Sequence, residues 1–212
     1  GGAGTQTAGL AFGGSSPGVS LEVDTEEYNG TSWSEGGDMS TGRYDVGGAG
    51  TQTAALAIGG FNNTANLSTT EEYGGTSWTS GGALNTARRL IAGAGIQTAA
   101  LAMGGTNNVA NEGYNGTAWT NLTSKNTGAP SGAGGGTQTS AVCFIQNGNT
   151  EEWNGTGWTN NATMATARSY LSGCGTQPAG LGFGGYASGA KNNTEEYTGT
   201  DPTVTASTLT TS

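Results

Sequence analysis

Thr51-Gln52-Thr53-Ala54-Ala55-Leu56-Ala57-Ile58-Gly59-Gly60, followed after a loop by Glu71-Glu72-Tyr73-Gly74-Gly75-Thr76-Ser77-Trp78, is the stretch that decides the fold. It recurs along the chain. Gln6, Gln52, Gln97, Gln138 and Gln177 mark five copies spaced 46, 45, 41 and 39 residues apart. Tyr28, Tyr73, Tyr114, Trp153 and Tyr197 mark the same five, and Trp33, Trp78, Trp119 and Trp158 mark four of them. A period of this length belongs to propellers, solenoids and arrays.

Within the clearest copy, Met39 to Gly82, the segment Arg43–Ala49 reads as a first short strand. Thr51–Ile58 reads as a second, buried on both faces because its latter half lacks polar alternation. Phe61–Ser68 is an Asn/Thr-rich loop that varies between copies, as exposed loops do. The third and fourth strands flank Asn29-Gly30, Gly74-Gly75, Asn115-Gly116 and Asn154-Gly155. Asn-Gly favours a two-residue type I′ hairpin. That turn pairs Tyr28 with Thr31, Glu27 with Ser32 and Glu26 with Trp33, and puts Tyr28 and Trp33 on one face. The expectation is an all-β fold, a five-bladed β-propeller of four-stranded antiparallel blades. A single domain spans 1–212, with blades near 1–40, 41–85, 86–126, 127–165 and 166–212. The C-terminal stretch from Asp201 is expected to form the outer strand of the last blade or to close the ring near the N-terminus, because open sheet edges are generally protected.

Composition narrows the function. The chain has 42 glycines among 212 residues, and they recur at fixed places in each unit, which makes them turn and close-approach positions. Only 10% of residues are charged, so Thr, Ser, Asn and Gly must cover a surface typical of extracellular or particle-borne β-structure. The six basic residues are scattered and the net charge is −9, which argues against nucleic-acid partners. No apolar run approaches the roughly 20 residues of a membrane span. The chain opens mid-pattern at Gly1-Gly2-Ala3-Gly4-Thr5-Gln6, as a piece of a longer polypeptide would. Cys143 and Cys174 stand where other copies have alanine, so both are expected to be small buried residues rather than a disulfide.

The order Met39-Ser40-Thr41-Gly42-Arg43, short strand, apolar strand, Gly59-Gly60, Tyr73, Trp78 resembles the kelch repeat. Met164-Ala165-Thr166-Ala167-Arg168 through Gly184-Gly185 and Tyr197 repeats it. The resemblance covers 1–202. Two features depart from it: a Tyr-to-Trp spacing of 5, and Ile145-Gln146 in place of Gly-Gly in the fourth copy. The near-identical Gly-Ala-Gly-Thr-Gln-Thr-Ala-Ala-Leu-Ala and Asn-Gly-Thr-x-Trp arrays also resemble kelch-like segments of virion structural and tail-fibre proteins of tailed phages from aquatic environments. That resemblance implies an adhesive or decorating role.

The chain contains no histidine, which removes His-based catalysis and most zinc or copper centres, and no cofactor is expected. The pairs Glu26-Glu27, Glu71-Glu72, Glu151-Glu152 and Glu195-Glu196 recur once per unit and point to opposite faces of a strand, whereas a glycosidase needs one unique pair. They are expected to be inter-blade partners of Arg43, Arg88 or Arg168, or backbone caps; calcium ligation is the lesser reading. The aromatic ladder is expected to fill the gaps between blades. Ligand contacts are expected in the variable loops Ser15–Val23, Phe61–Ser68, Thr106–Asn111 and Tyr186–Asn193. Ser15, Ser16, Asn62, Asn63, Asn107, Asn108, Tyr186 and Asn192 are the candidate contact residues.

These readings converge on a non-enzymatic virion or extracellular module that presents loops to a host surface or its glycans. Its partners would be other virion or filament proteins or like copies. A purely structural assembly protein and a secreted lectin are the alternatives. A lectin would repeat the same polar and aromatic residues in every loop, and these loops differ.

Overall fold

The computed structural model describes residues 1–16, 20–128 and 130–199. Among them there is no helix, only five antiparallel sheets in sequence order. Blade 1 comprises β1 (Gly2–Thr5), β2 (Ala8–Ser16), β3 (Ser20–Tyr28) and β4 (Trp33–Glu35). Blade 2 comprises β5 (Gly47–Thr51), β6 (Ala54–Ile58), β7 (Thr70–Tyr73) and β8 (Trp78–Ser80). Blade 3 comprises β9 (Ala92–Ile96), β10 (Ala99–Met103), β11 (Asn111–Tyr114) and β12 (Trp119–Asn121). Blade 4 comprises β13 (Ser131–Thr137), β14 (Ser140–Ile145), β15 (Thr150–Trp153) and β16 (Trp158–Asn161). Blade 5 shows β17 (Ser172–Thr176), β18 (Ala179–Phe183) and β19 (Thr194–Thr198). The inner strands β1, β5, β9, β13 and β17 surround a channel of about 550 Å³. The fold is a five-bladed β-propeller. The expected role of the chain from Asp201 lies outside the described residues.

Two local expectations need correction. The first strand of the unit is Gly47–Thr51, not Arg43–Ala49, and the Thr51–Ile58 segment contains the turn Gln52-Thr53, leaving Ala54–Ile58 as the buried strand. The outer hairpin is also not a two-residue I′ turn. Tyr28 pairs with Trp33, Glu27 with Ser34 and Glu26 with Glu35, so the loop is the four residues 29–32. Asn29 is the reason. Its Oδ1 accepts the backbone N–H of Thr31 and of Ser32, both at 3.0 Å, and only Gly30 takes a positive φ (91°). Asn115 and Asn154 build the same loop. The register moves by two residues, which leaves every side chain on its expected face.

Each junction seats large side chains against small ones. Leu10 and Phe12 of blade 1 pack on Ala55, Ala57 and Tyr73 of blade 2. Leu56 and Ile58 pack on Ala100, Ala102 and Tyr114, and Leu101 and Met103 on Ala141, Cys143 and Trp153. Where blade 4 presents the bulkier Phe144, blade 5 has Gly180, whose β-carbon would lie only 3.0 Å from that ring. Each of these aliphatic side chains contributes roughly 1.5–3 kcal/mol on full burial. Among the described residues β17 does not pack on β1 as each other inner strand packs on the next. The outer faces at that position are accordingly uncovered: Trp33 is 51% and Phe183 38% exposed. Cys174, expected to be buried, is exposed on this face beside the channel, whereas Cys143 is buried.

The inner strands touch backbone to backbone. A β-carbon on Gly93 would come far closer to the Gly48 carbonyl oxygen than van der Waals contact allows, and one on Gly48 would do the same to the Gly2 carbonyl oxygen. Gly93→Ala is expected to cost about 1–3 kcal/mol through overpacking. Gly157→Ala, where nothing lies within 4 Å, is expected to change stability by less than about 1 kcal/mol. Urea midpoints of the two variants check the contrast.

Candidate functional site

The antiparallel order puts the loops joining the second and third strands at one rim, together with the connections between blades. The glutamine and Asn-Gly turns lie at the other rim. The glutamines turn out to be staples between blades. Gln52 Nε2 donates to Gly9 O (3.1 Å) and Tyr28 O (2.8 Å) of blade 1. Gln97 does the same to Ala55 O and Tyr73 O, and Gln138 to Ala100 O and Tyr114 O. Gln177 instead accepts from the Ser140 hydroxyl. Gln6 is exposed. The sequence marked these residues by recurrence without indicating their task.

Most of the aromatic ladder lies at the junctions between blades, with Trp33 of blade 1 exposed. Tyr73, Tyr114, Trp153 and Tyr197 are buried, and each cross-strand Tyr–Trp or Trp–Trp pair stacks with centroids 4.8–5.4 Å apart. The indole N–H of Trp78 and of Trp119 donates to Thr25 Oγ1 (2.9 Å) and Thr70 Oγ1 (3.0 Å) of the preceding blade, while that of Trp158 donates to Thr123 O.

The two glutamates of each pair do different work. The first accepts from backbone N–H groups of the segment entering its own blade: Ser40 to Glu71, Asn85 to Glu112, Asn126 to Glu151 and Ala165 to Glu195. It also pairs with an arginine of that segment: Arg43 with Glu71, Arg88 with Glu112, and Arg168 with Glu195 at 2.7 Å. These ion pairs lie within one repeat, which corrects the expected inter-blade pairing. The three guanidiniums are buried, and burial pulls Arg43 below the usual arginine range while Glu71 opposes the shift. In blade 4, Lys125 occupies the position of Met39 and sits buried, 3.6 Å from Cys143 Sγ.

The second glutamate crosses the junction instead. Glu27 accepts from the Tyr73 hydroxyl, Glu72 from Tyr114, and Glu152 from Tyr197 at 2.8 Å. At the junction of blades 3 and 4 both partners change together. Gly113 stands where the glutamate would be and Trp153 where the tyrosine would be, and the indole N–H turns to Gln138 O (2.9 Å).

The candidate contact residues divide in two. Asn62 and Asn108 spend their carbonyls on their own loops, Asn62 on Thr64 and Ala65 and Asn108 on Ala110. Asn63 and Asn107 are exposed at turn positions of positive φ, 70° and 50°. Ser15 and Ser16 lie at the end of β2 in an extended hairpin rather than in a loop, and are exposed. Tyr186 and Asn192 are exposed at the rim of blade 5. Among the described residues Tyr170, which follows the Ser169 that pairs with Tyr186, is the most exposed large hydrophobic side chain at 69%, at a φ of 54°. Sequence reasoning missed it, since nothing but the backbone marks it. The central channel is lined mainly by Gly, Ala, Val, Ile and Leu; among the described residues Ser172 and Cys174 are the polar side chains on its wall. No protein-family model and no curated protein matches the chain.

Removing one partner of a buried pair strands the other charge. Glu112→Leu is therefore expected to lower stability by about 3–5 kcal/mol, read from denaturant midpoints. Burial and the facing carboxylates raise Tyr73, Tyr114 and Tyr197 above the ordinary tyrosine value of 10.0. A hydroxyl that holds its proton more tightly when folded contributes stability that is complete below that value. The contribution falls as pH climbs toward the raised folded values. Stability should therefore decline above pH 10, and less steeply in Tyr114→Phe, as followed by melting temperature against pH.

Proposed function

We propose that the chain is a non-enzymatic presentation module of a virion or extracellular assembly, built on kelch-like blades, whose variable rim touches a host surface and its glycans. The observation that carries this reading is the rim of blade 5. There Tyr186 pairs with Ser169, the residue before Tyr170, and the two tyrosines are 55% and 69% exposed, with exposed Asn192 in the segment that follows Tyr186. Exposed aromatic faces with neighbouring amides are the means by which proteins stack on sugar rings and bind their hydroxyls. The repeated ionisable groups speak for passivity, because the three buried arginines and most of the paired carboxylates are engaged with one another inside a blade or with tyrosines across a junction. Among the described residues the wall of the channel carries no acid–base pair.

A second reading, a structural module that packs on like copies or on a scaffold protein, draws support from the uncovered faces that carry Trp33 and Phe183. A glycan-array screen distinguishes the two. The chain should retain a subset of glycans and lose them in Tyr170→Ser and Tyr186→Ser while its melting temperature is kept. Absence of retention at high protein concentration would refute the adhesive reading.

A further inference from the structure

We propose that blade 1 carries a guanidinium-binding pocket, and that its ligand is an arginine in an extended segment of polypeptide outside residues 1–212.

The argument rests on the repeat. In blade 2 the Arg43 guanidinium reaches Gly59 O (3.2 Å), Thr69 O (3.1 Å), Thr69 Oγ1 (2.9 Å) and Glu71. In blade 5 the Arg168 guanidinium reaches Asn193 O (3.0 Å), Asn193 Oδ1 (2.9 Å) and Glu195. In blade 3 the Arg88 guanidinium reaches Gly104 O, Ala102 O and Glu112. Strand pairing fixes the counterparts in blade 1: Ala11 opposes Glu26 as Ala57 opposes Glu71 and Ala102 opposes Glu112. Gly13, Asp24 and Glu26 are thus the equivalents of Gly59, Thr69 and Glu71. They line an open pocket of about 290 Å³ together with Phe12, Glu22 and Glu35.

The departures of blade 1 from the other blades strengthen the pocket. Asp24 puts a carboxylate where Thr69 and Asn193 offer neutral acceptors, and Glu22 and Glu35 add two more negative charges. Among the described residues no group of three or more acidic or thiol side chains converges as metal ligands would, so the geometry favours a planar, multi-donor cation. In the other blades the residue three before the arginine also donates its backbone N–H to the same glutamate: Ser40, Asn85 and Ala165. The matching ligand is therefore an extended Met/Leu-x-Thr-x-Arg segment, not an isolated side chain.

The chain itself has no arginine to spare. Its four are Arg43, Arg88 and Arg168, buried in their own blades, and Arg89, which sits 3.8 Å from Asp45 and 4.3 Å over the Phe61 ring. A second copy would have to dismantle a blade to supply one, which points to other polypeptide as the source.

The test is titration of the full chain into a labelled hexapeptide Met-Ser-Thr-Gly-Arg-Tyr, the sequence of residues 39–44, followed by fluorescence anisotropy up to about 1 mM. Saturable one-to-one binding is expected. Replacing the peptide arginine by glutamine, or Glu26→Gln in the protein, should weaken it by about tenfold to a hundredfold, the scale of a charge-assisted hydrogen bond. Glu196→Gln makes the same change of net charge at an exposed site on blade 5 and should leave binding unaltered. Absence of saturation, or equal weakening by Glu26→Gln and Glu196→Gln, would overturn the proposal.

Discussion

The structure depends on one steric rule: the second strand of a blade turns its bulkier side chains toward the succeeding blade and small ones, alanine, glycine or Cys143, toward the preceding blade. No single blade could keep Leu56, Ile58 or Met103 from water. Alternation along the second strand assigns the two sizes to the two faces, so the rule is written in a five-residue segment such as Ala54–Ile58. The polar contacts refine what packing begins. At the junctions of blades 1 and 2 and of blades 2 and 3, glutamine ties a blade to the carbonyls of the one before it, and a tyrosine hydroxyl meets a carboxylate across the same boundary. Both satisfy groups that the packing would otherwise leave buried and unpaired.

The architecture was legible because recurrence reveals itself without any knowledge of contacts. Five marks of glutamine and aromatic residues, with glycines at constant offsets, are enough to specify blades. Faces were legible too, since Tyr28 and Trp33 share a side under any even shift of register. The register itself was not. It turns on whether the Asn29 amide bonds to the backbone of its own loop, and composition does not reveal that. The exposure of Cys174 was hidden for a different reason: the alanines aligned with it are covered by a neighbouring blade, and the uncovered face of blade 5 is a property of the ring rather than of the repeat.

The site was legible only in outline. Variable loops could be located, but which asparagines present themselves and which hold their own turns is decided by hydrogen bonds such as Asn62 Oδ1 to Ala65 N (2.9 Å). The partners of the glutamate pairs were the harder problem. Adjacent carboxylates on a strand point opposite ways, and only the three-dimensional order shows that one looks inward to its own arginine and the other outward to the next blade. The pocket of blade 1 follows from that distinction, because a position is recognised as an arginine site only after its counterparts have been seen with arginine in place.

The matched exchange of Gly113 and Trp153 has an evolutionary corollary. Near-identical repeats invite unequal recombination, and most junctions here would accept a swapped unit. Losing the third unit alone would press Glu72 against an indole that offers it no hydroxyl. Losing the fourth alone would leave the Tyr197 hydroxyl facing Gly113, which offers no acceptor. Losing both together would restore tyrosine opposite glutamate. The third and fourth units are therefore interchangeable with the rest of the ring only as a matched pair.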